Sequence, residues 1–339
     1  MAFEKTLDYQ IDHTLAGRLG KEVYEKAIEQ QKSISEQDYA AIKFLGERAI
    51  RPPFRTPVHK TPADHGMNVW EDIYFPSSDG VPLEGWYIPS VKGESDKLII
   101  MNHPLPMSRS GFTGHFGEPF SSVDDLEIDF VIEMKHLSNA GYNILAYDLR
   151  NHGNSGTANN NICGIGRYEW RDVVGAQNYV NSHPELSKMK VALYNRCTGG
   201  NAAYEAMYRY PELFDHIICF FGPMTLCMTA MMKKFAGYAG VGQYLELMAF
   251  EQLKLGGFTH YEMDPKPFAP AVKVPYFMSE VLDDAWTDNP NDAQAIFDLI
   301  GSTEKELFWI EGTNRRFDAY NYFGLHPEKM IAFFDKYMK

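Results

Sequence analysis

Short apolar runs recur along the chain at positions 98–101, 143–147, 191–194, 217–220, 276–278 and 307–310. Each is too short for a helix and shows no polar alternation, as expected of a strand buried on both faces. Between them lie stretches with helical spacing of apolar positions, at 127–140, 168–181, 199–209, 292–300 and 327–338. Strand–helix alternation predicts a mostly parallel sheet covered by helices on both sides. Two further runs, 68–75 and 83–88, flank a turn at 77–80 and read as a hairpin. The expectation is an α/β, doubly wound, eight-stranded sheet with an antiparallel start.

Two departures from this rhythm shape the domain reading. Residues 14–50 carry an apolar-periodic, charged pattern that predicts two helices, stopped by Arg51-Pro52-Pro53. Residues 1–65 are therefore read as an N-terminal helical extension and 66–339 as the α/β domain. The interval 223–272 is longer than a single crossover and rich in Met224, Met228, Met231, Met232, Met248, Phe235 and Phe250. It reads as an inserted helical cap. Methionine at helical spacing suits ordinary core packing, and equally a soft apolar wall over a binding site.

Composition narrows the function classes. A chain of 339 residues that is 45% hydrophobic can bury a large core. A net charge of −13 lacks the basic face that nucleic-acid binding requires. No stretch approaches the apolar length of a membrane span, and Met1-Ala2-Phe3-Glu4-Lys5-Thr6 lacks the pattern of a signal peptide. The four cysteines, at 163, 197, 219 and 227, show neither disulfide nor zinc-ligand spacing. A reduced, cytoplasmic setting is expected, with no metal and no cofactor. A small molecule is the expected partner, for a monomer or a homodimer.

The candidate chemistry centres on Val191-Ala192-Leu193-Tyr194-Asn195-Arg196-Cys197-Thr198-Gly199-Gly200. A strand that breaks at Cys197 and enters a helix is the shape of the G-x-S-x-G nucleophile elbow, with cysteine in the serine position. Gly199 and Gly200 supply small side chains on the helical side, while Asn195 replaces the preceding glycine. A helix start favours negative charge on sulfur. The plain alternative is a buried structural cysteine.

Two further motifs occur in the same chain order. Asp148-Leu149-Arg150-Asn151-His152-Gly153-Asn154-Ser155 resembles the D-x-R-G-H-G-x-S turn of the α/β-hydrolase fold. The stretch 274–287, ending Asp283-Asp284-Ala285-Trp286-Thr287, resembles that family's seventh strand with the acid of its triad. Over roughly residues 68–338 the chain resembles an α/β hydrolase of the dienelactone-hydrolase and acyl-esterase branches, with a cysteine nucleophile. The resemblance implies Cys197 as nucleophile and Asp284, rather than Asp283, as orienting acid. It implies the backbone N–H groups of Thr198 and Leu105 as oxyanion donors, since Pro104 and Pro106 have none. His152 is expected to be structural.

The family's histidine should follow the eighth strand, within 311–318, and none is there; Arg315 stands roughly in its place. His326 starts the last helix, where capping explains it. Three histidines elsewhere remain as relocated bases. His115 is favoured because its flanking glycines would let the loop fold over the elbow; His103 follows, then His260 in the cap. Arg196, Arg315, His103, Met228 and Met231 are the expected substrate contacts. Arg315 and Arg316 equally suit surface ion pairs, with Asp318 or another carboxylate, whereas an arginine in the histidine's place could hold Asp284 or a substrate carboxylate. A thiol supplies much of its own nucleophilicity, so the missing base should hurt release of an acyl group more than its uptake. The expectation is a hydrolase acting on an apolar ester, thioester or lactone. The alternatives are a non-hydrolytic acyltransferase or cyclase of secondary metabolism, or a silent binding protein.

Overall fold

The computed structural model describes residues 15–339. The expectations for Met1–Thr6 and for the first 14 residues of the extension lie outside it. The elements run α1 (Leu15–Leu19), α2 (Lys21–Ser33), α3 (Glu36–Ile50), β1 (Glu71–Pro76), β2 (Pro82–Ile88), β3 (Lys97–Asn102), β4 (Gly111–Thr113) and β5 (Glu127–Asp129). Then follow α4 (Phe130–Ala140), β6 (Asn143–Tyr147), α5 (Trp170–Ser182), β7 (Lys190–Asn195), α6 (Thr198–Arg209) and β8 (Ile217–Phe221). The chain continues with α7 (Met228–Tyr238), α8 (Leu245–Gly256), β9 (Tyr276–Val281), α9 (Asn291–Leu299) and β10 (Lys305–Ile310). It ends with α10 (Arg316–Tyr320), α11 (Tyr322–Leu325) and α12 (Glu328–Tyr337).

One eight-stranded sheet has the order β1-β2-β6-β3-β7-β8-β9-β10. Only β2 runs against the rest, since it pairs antiparallel with both β1 and β6. The apolar runs split by parity into two cores. Ile99, Met101, Ile144, Ala192 and Tyr194 pack on one face. Leu98, Ile100, Leu145, Val191 and Leu193 pack on the other. Successive side chains on a strand point to opposite faces, so a sheet covered on both sides needs unbroken apolar runs.

Two details differ from the sequence expectation. The predicted helix at 127–140 begins with the three-residue strand β5, which pairs with β4 as a separate ribbon. Helical periodicity does not register so short a strand. The described part of the N-terminal segment, 15–50, holds three helices where two were expected over 14–50, because Gly20 breaks the chain at a φ of 82°. Helices α2 and α3 pack against α8 of the 223–272 segment.

The register brings the decisive chain ends together. Asn102, last in β3, lies beside Asn195, last in β7. The loops after these strands and after β8, β9 and β10 leave from one edge, the usual ligand side of a parallel sheet.

Candidate active site

Cys197 sits between β7 and α6 with φ 46° and ψ −114°, a conformation rare for a residue with a side chain. Its N–H donates to the Pro223 carbonyl at 3.0 Å, which ties the turn to the exit of β8. The glycine after Thr198 is required by close approach: a Cβ on Gly199 would stand 1.8 Å from the Asn102 Oδ1. The thiol is buried.

Thr198 opens α6, so its N–H has no partner within the helix. The Leu105 N–H lies 3.4 Å from the Thr198 hydroxyl, a long contact that places the two residues side by side. Asp284 lies beyond the end of β9 and is buried, whereas Asp283 is exposed. Its carboxylate accepts from the Trp286 N–H at 2.8 Å and the Thr287 hydroxyl at 3.2 Å.

A buried guanidinium fills the position opposite Asp284. Arg316 Nη1 donates to Asp284 Oδ2 at 2.5 Å, Nη2 to the Met224 carbonyl, and Nε to the Tyr320 hydroxyl at 3.2 Å. Met224 holds a left-handed φ of 60° next to this bond. Tyr320 and Arg316 both lie close to the Cys197 side chain. Burial pushes the Tyr320 hydroxyl well above its ordinary range, so it keeps its proton. Glu280, 3.7 Å from Arg316, is likewise pushed up by burial. The chain of contacts therefore runs Cys197–Tyr320–Arg316–Asp284.

Of the two adjacent arginines weighed for the histidine's place, Arg316 is the one that holds Asp284, while Tyr320 was not singled out from the sequence. The readable signal is their i,i+4 spacing, which puts both on one face of α10. Arg315, the residue expected there, lies one position earlier and instead binds Asp124, with Nε 2.9 Å from Oδ2, and Asp125. Its surface ion pair, not the histidine's place, accounts for it.

The histidines sit elsewhere. His115 is half-exposed, 3.8 Å from Glu127, and packs its ring on His59 and Phe116 rather than on Cys197. The glycines that were expected to fold its loop over the elbow serve the ribbon: a Cβ on Gly111 would meet the Ile128 carbonyl at 1.9 Å, and one on Gly114 the Asp124 carbonyl at 2.2 Å. His103 is buried away from substrate, with Nδ1 3.0 Å from the Pro104 carbonyl and Nε2 accepting from the Leu149 N–H at 3.0 Å. Burial lowers its pKa to about 4. It thus ties the Leu105 loop to the Asp148 turn. His152 holds the Arg150 carbonyl within that turn at 2.8 Å, His260 pairs with Gln252 at 2.8 Å, and exposed His326 packs at a tilt against Tyr322.

Arg196 was expected to contact substrate because it adjoins Cys197. Its guanidinium points into the core, where it pairs with Glu133, donates to the Asn102 carbonyl and covers the Phe130 ring. A cleft of about 320 Å³ is lined by Met231, Met232, Phe235, Leu105 and Trp286 together with the face of α3 around Phe44. Met231 lines this cleft, while Met228 is fully buried, its N–H donating to the Met263 carbonyl at 3.2 Å. Among the described residues no group of acidic, histidine and cysteine side chains could hold a metal ion, and no helix could cross a membrane.

Neither a family profile nor a curated protein matches the sequence. Solved structures do resemble the fold. The Pyrococcus furiosus esterase Pf2001 matches with a TM-score of 0.61 at 18% identity, over 86% of this chain and 99% of that one. The α/β hydrolase GrgF from Penicillium sp. sh18 matches with a TM-score of 0.53 at 17% identity, over 80% and 99%. DcsB, solved with a substrate analogue, matches with a TM-score of 0.53 at 14% identity, over the same shares. Sheet order, the lone antiparallel strand and these likenesses agree: the chain has the α/β-hydrolase fold.

Proposed function

We propose that this chain is an acyl-transfer enzyme of the hydrolase type. In this reading Cys197 attacks an ester, thioester or lactone of an apolar acyl compound, as in the esterase-like branches that the sequence resembles. The observation that carries it is the strained Cys197 turn, linked through Tyr320 and Arg316 to Asp284. A merely structural cysteine would need none of these, and strain of this kind is retained where it serves a site.

The Cys197 sulfur bonds to the acyl carbon, and the carbonyl oxygen takes negative charge between the Thr198 and Leu105 N–H groups. The guanidinium of Arg316, fixed by Asp284, lies close to Cys197 as a permanent positive charge. Collapse breaks the bond to the leaving alcohol or thiol, which departs with the thiol proton through the Tyr320 hydroxyl. The cap helices and α3 hold the acyl chain. Release is harder. Arginine cannot take a proton from water, and Tyr320 is held as a donor. Water attack thus lacks the general base that is worth about 10²–10⁴-fold.

That asymmetry supports a second reading on the same site. An amine, a thiol or a nucleophile within the substrate brings its own reactivity, so an acyltransferase or cyclase suits Arg316 better than fast hydrolysis does. The test is a burst experiment with a p-nitrophenyl ester, followed by intact mass. The expected result is one acyl group on Cys197, formed at least about ten-fold faster than it is released, and none in Cys197→Ala. Tyr320→Phe should slow the burst about ten-fold, the loss of one hydrogen bond to a charged group. Added amine or thiol should accelerate turnover. No burst and no adduct would leave a silent binding protein as the account.

A further inference from the structure

The geometry points to an amphiphilic substrate: an apolar acyl chain in the cleft beside Leu105 and Trp286, ending in an anionic group held by Arg48. The inference rests on the acyl-transfer reading and names its substrate class.

The cleft adjoins the chemistry through two backbone steps. Leu105 contributes its side chain to the wall and its N–H to the neighbourhood of Thr198. Trp286 contributes its ring to the wall and its N–H to Asp284. A chain lying in the cleft therefore runs beside the two residues that adjoin Thr198 and Asp284. At about 320 Å³, and about 30 Å³ for each methylene-sized group, it holds on the order of ten heavy atoms.

Among the described residues, Arg48 is the one charged residue on the walls, and no acid lines them. It comes from α3, where Phe44, Leu45, Arg48 and Ala49 share a face turned to the cleft. Its guanidinium lies over the Phe44 ring at 5.4 Å and reaches the Ser122 hydroxyl at 3.3 Å. Among the described residues it has no carboxylate partner, although the chain carries 45 acidic residues against 32 basic ones. Nearby Arg51 is paired with Glu47 at 3.0 Å. An unpaired arginine at the end of an apolar cleft presents a fork suited to a carboxylate or a phosphate.

The experiment measures how fast Cys197 is acylated by three p-nitrophenyl esters: octanoate, ω-carboxyoctanoate and ω-phosphonooctanoate. At least one anionic ester should react about ten-fold faster than octanoate, with the advantage shrinking as salt is raised. Comparison of the two anionic esters identifies the group. Arg48→Met should bring the ratio close to one, and Arg48→Lys should keep most of it. A ratio near one in the native protein, or one that survives Arg48→Met, overturns the inference. If none of the esters labels Cys197, the acyl-transfer reading itself fails. Binding of decanoate against decanol to the Cys197→Ala protein then decides: an Arg48-dependent preference of about ten-fold for decanoate supports the anion site, and equal binding overturns it.

Discussion

Two buried arginine–carboxylate pairs lie near Cys197, and they differ in what they hold. Arg196 is the covalent neighbour of Cys197, yet its charge is enclosed by Glu133, Tyr194 and the Phe130 ring. Arg316 is remote in sequence, yet its guanidinium links Asp284 to Tyr320 and lies close to Cys197. Adjacent residues at the end of a strand send their side chains to opposite sides, so the neighbour of a turn residue is poorly placed to help it. Chemistry at the edge of a parallel sheet is assembled from loops that follow different strands.

The comparison breaks most sharply on the scaffold side. Glu133→Ala should cost about 3–5 kcal/mol by leaving Arg196 buried and unpaired, read as a lower urea midpoint. Adding Arg196→Met should recover much of that loss. A cost below about 1 kcal/mol would show that Arg196 reaches water and is not confined to the core.

The front pair sharpens it next. Arg316→His places an imidazole beside Asp284, where it can take a proton from water. Release of the acyl group should then rise at least about ten-fold, while the burst persists. Unchanged release with an intact burst would mean that Arg316 is not what limits hydrolysis.

The smallest expected effect concerns the histidine that stayed behind the site. Burial holds His103 near 4, below its ordinary 6.5, so the unfolded chain takes up the proton first. Its contribution is complete above about pH 6.5 and is lost as pH falls toward 4, at up to about 1.4 kcal/mol per pH unit. Asp172, pushed by burial up to about 7, acts in the opposite sense: its protonated form favours the folded state, and that favour is lost as pH rises through 7. The clean readout is therefore a difference. His103→Asn should flatten the acid limb of urea-melt stability relative to the native protein, and parallel limbs would refute it.

Much of the fold was legible because parity and period are local. The runs at 143–147 and 191–194 match β6 and β7 within a residue, and the elbow at Cys197 follows from a strand, a break and two glycines. The ribbon of β4 and β5 was not legible, since three residues carry too little pattern and its glycines serve contacts with distant carbonyls. The preference for His115 failed for the same reason: a flexible-looking glycine was fixed by a neighbour that the sequence does not reveal.

The sequence by itself determined the layered sheet, the position of Cys197 at a strand-to-helix turn and the acid-bearing stretch that contains Asp284. It also determined that no histidine lies within 311–318, directly after β10. Only the tertiary structure decided what stands in that place. Arg315 and Arg316 are chemically identical in sequence, and their roles separate because α10 begins between them. That start turns Arg315 outward to Asp124 and sends Arg316 inward, with Tyr320 one turn further along the same face. A side chain's direction depends on where its helix begins and what packs against it, and neither is written in the residue itself.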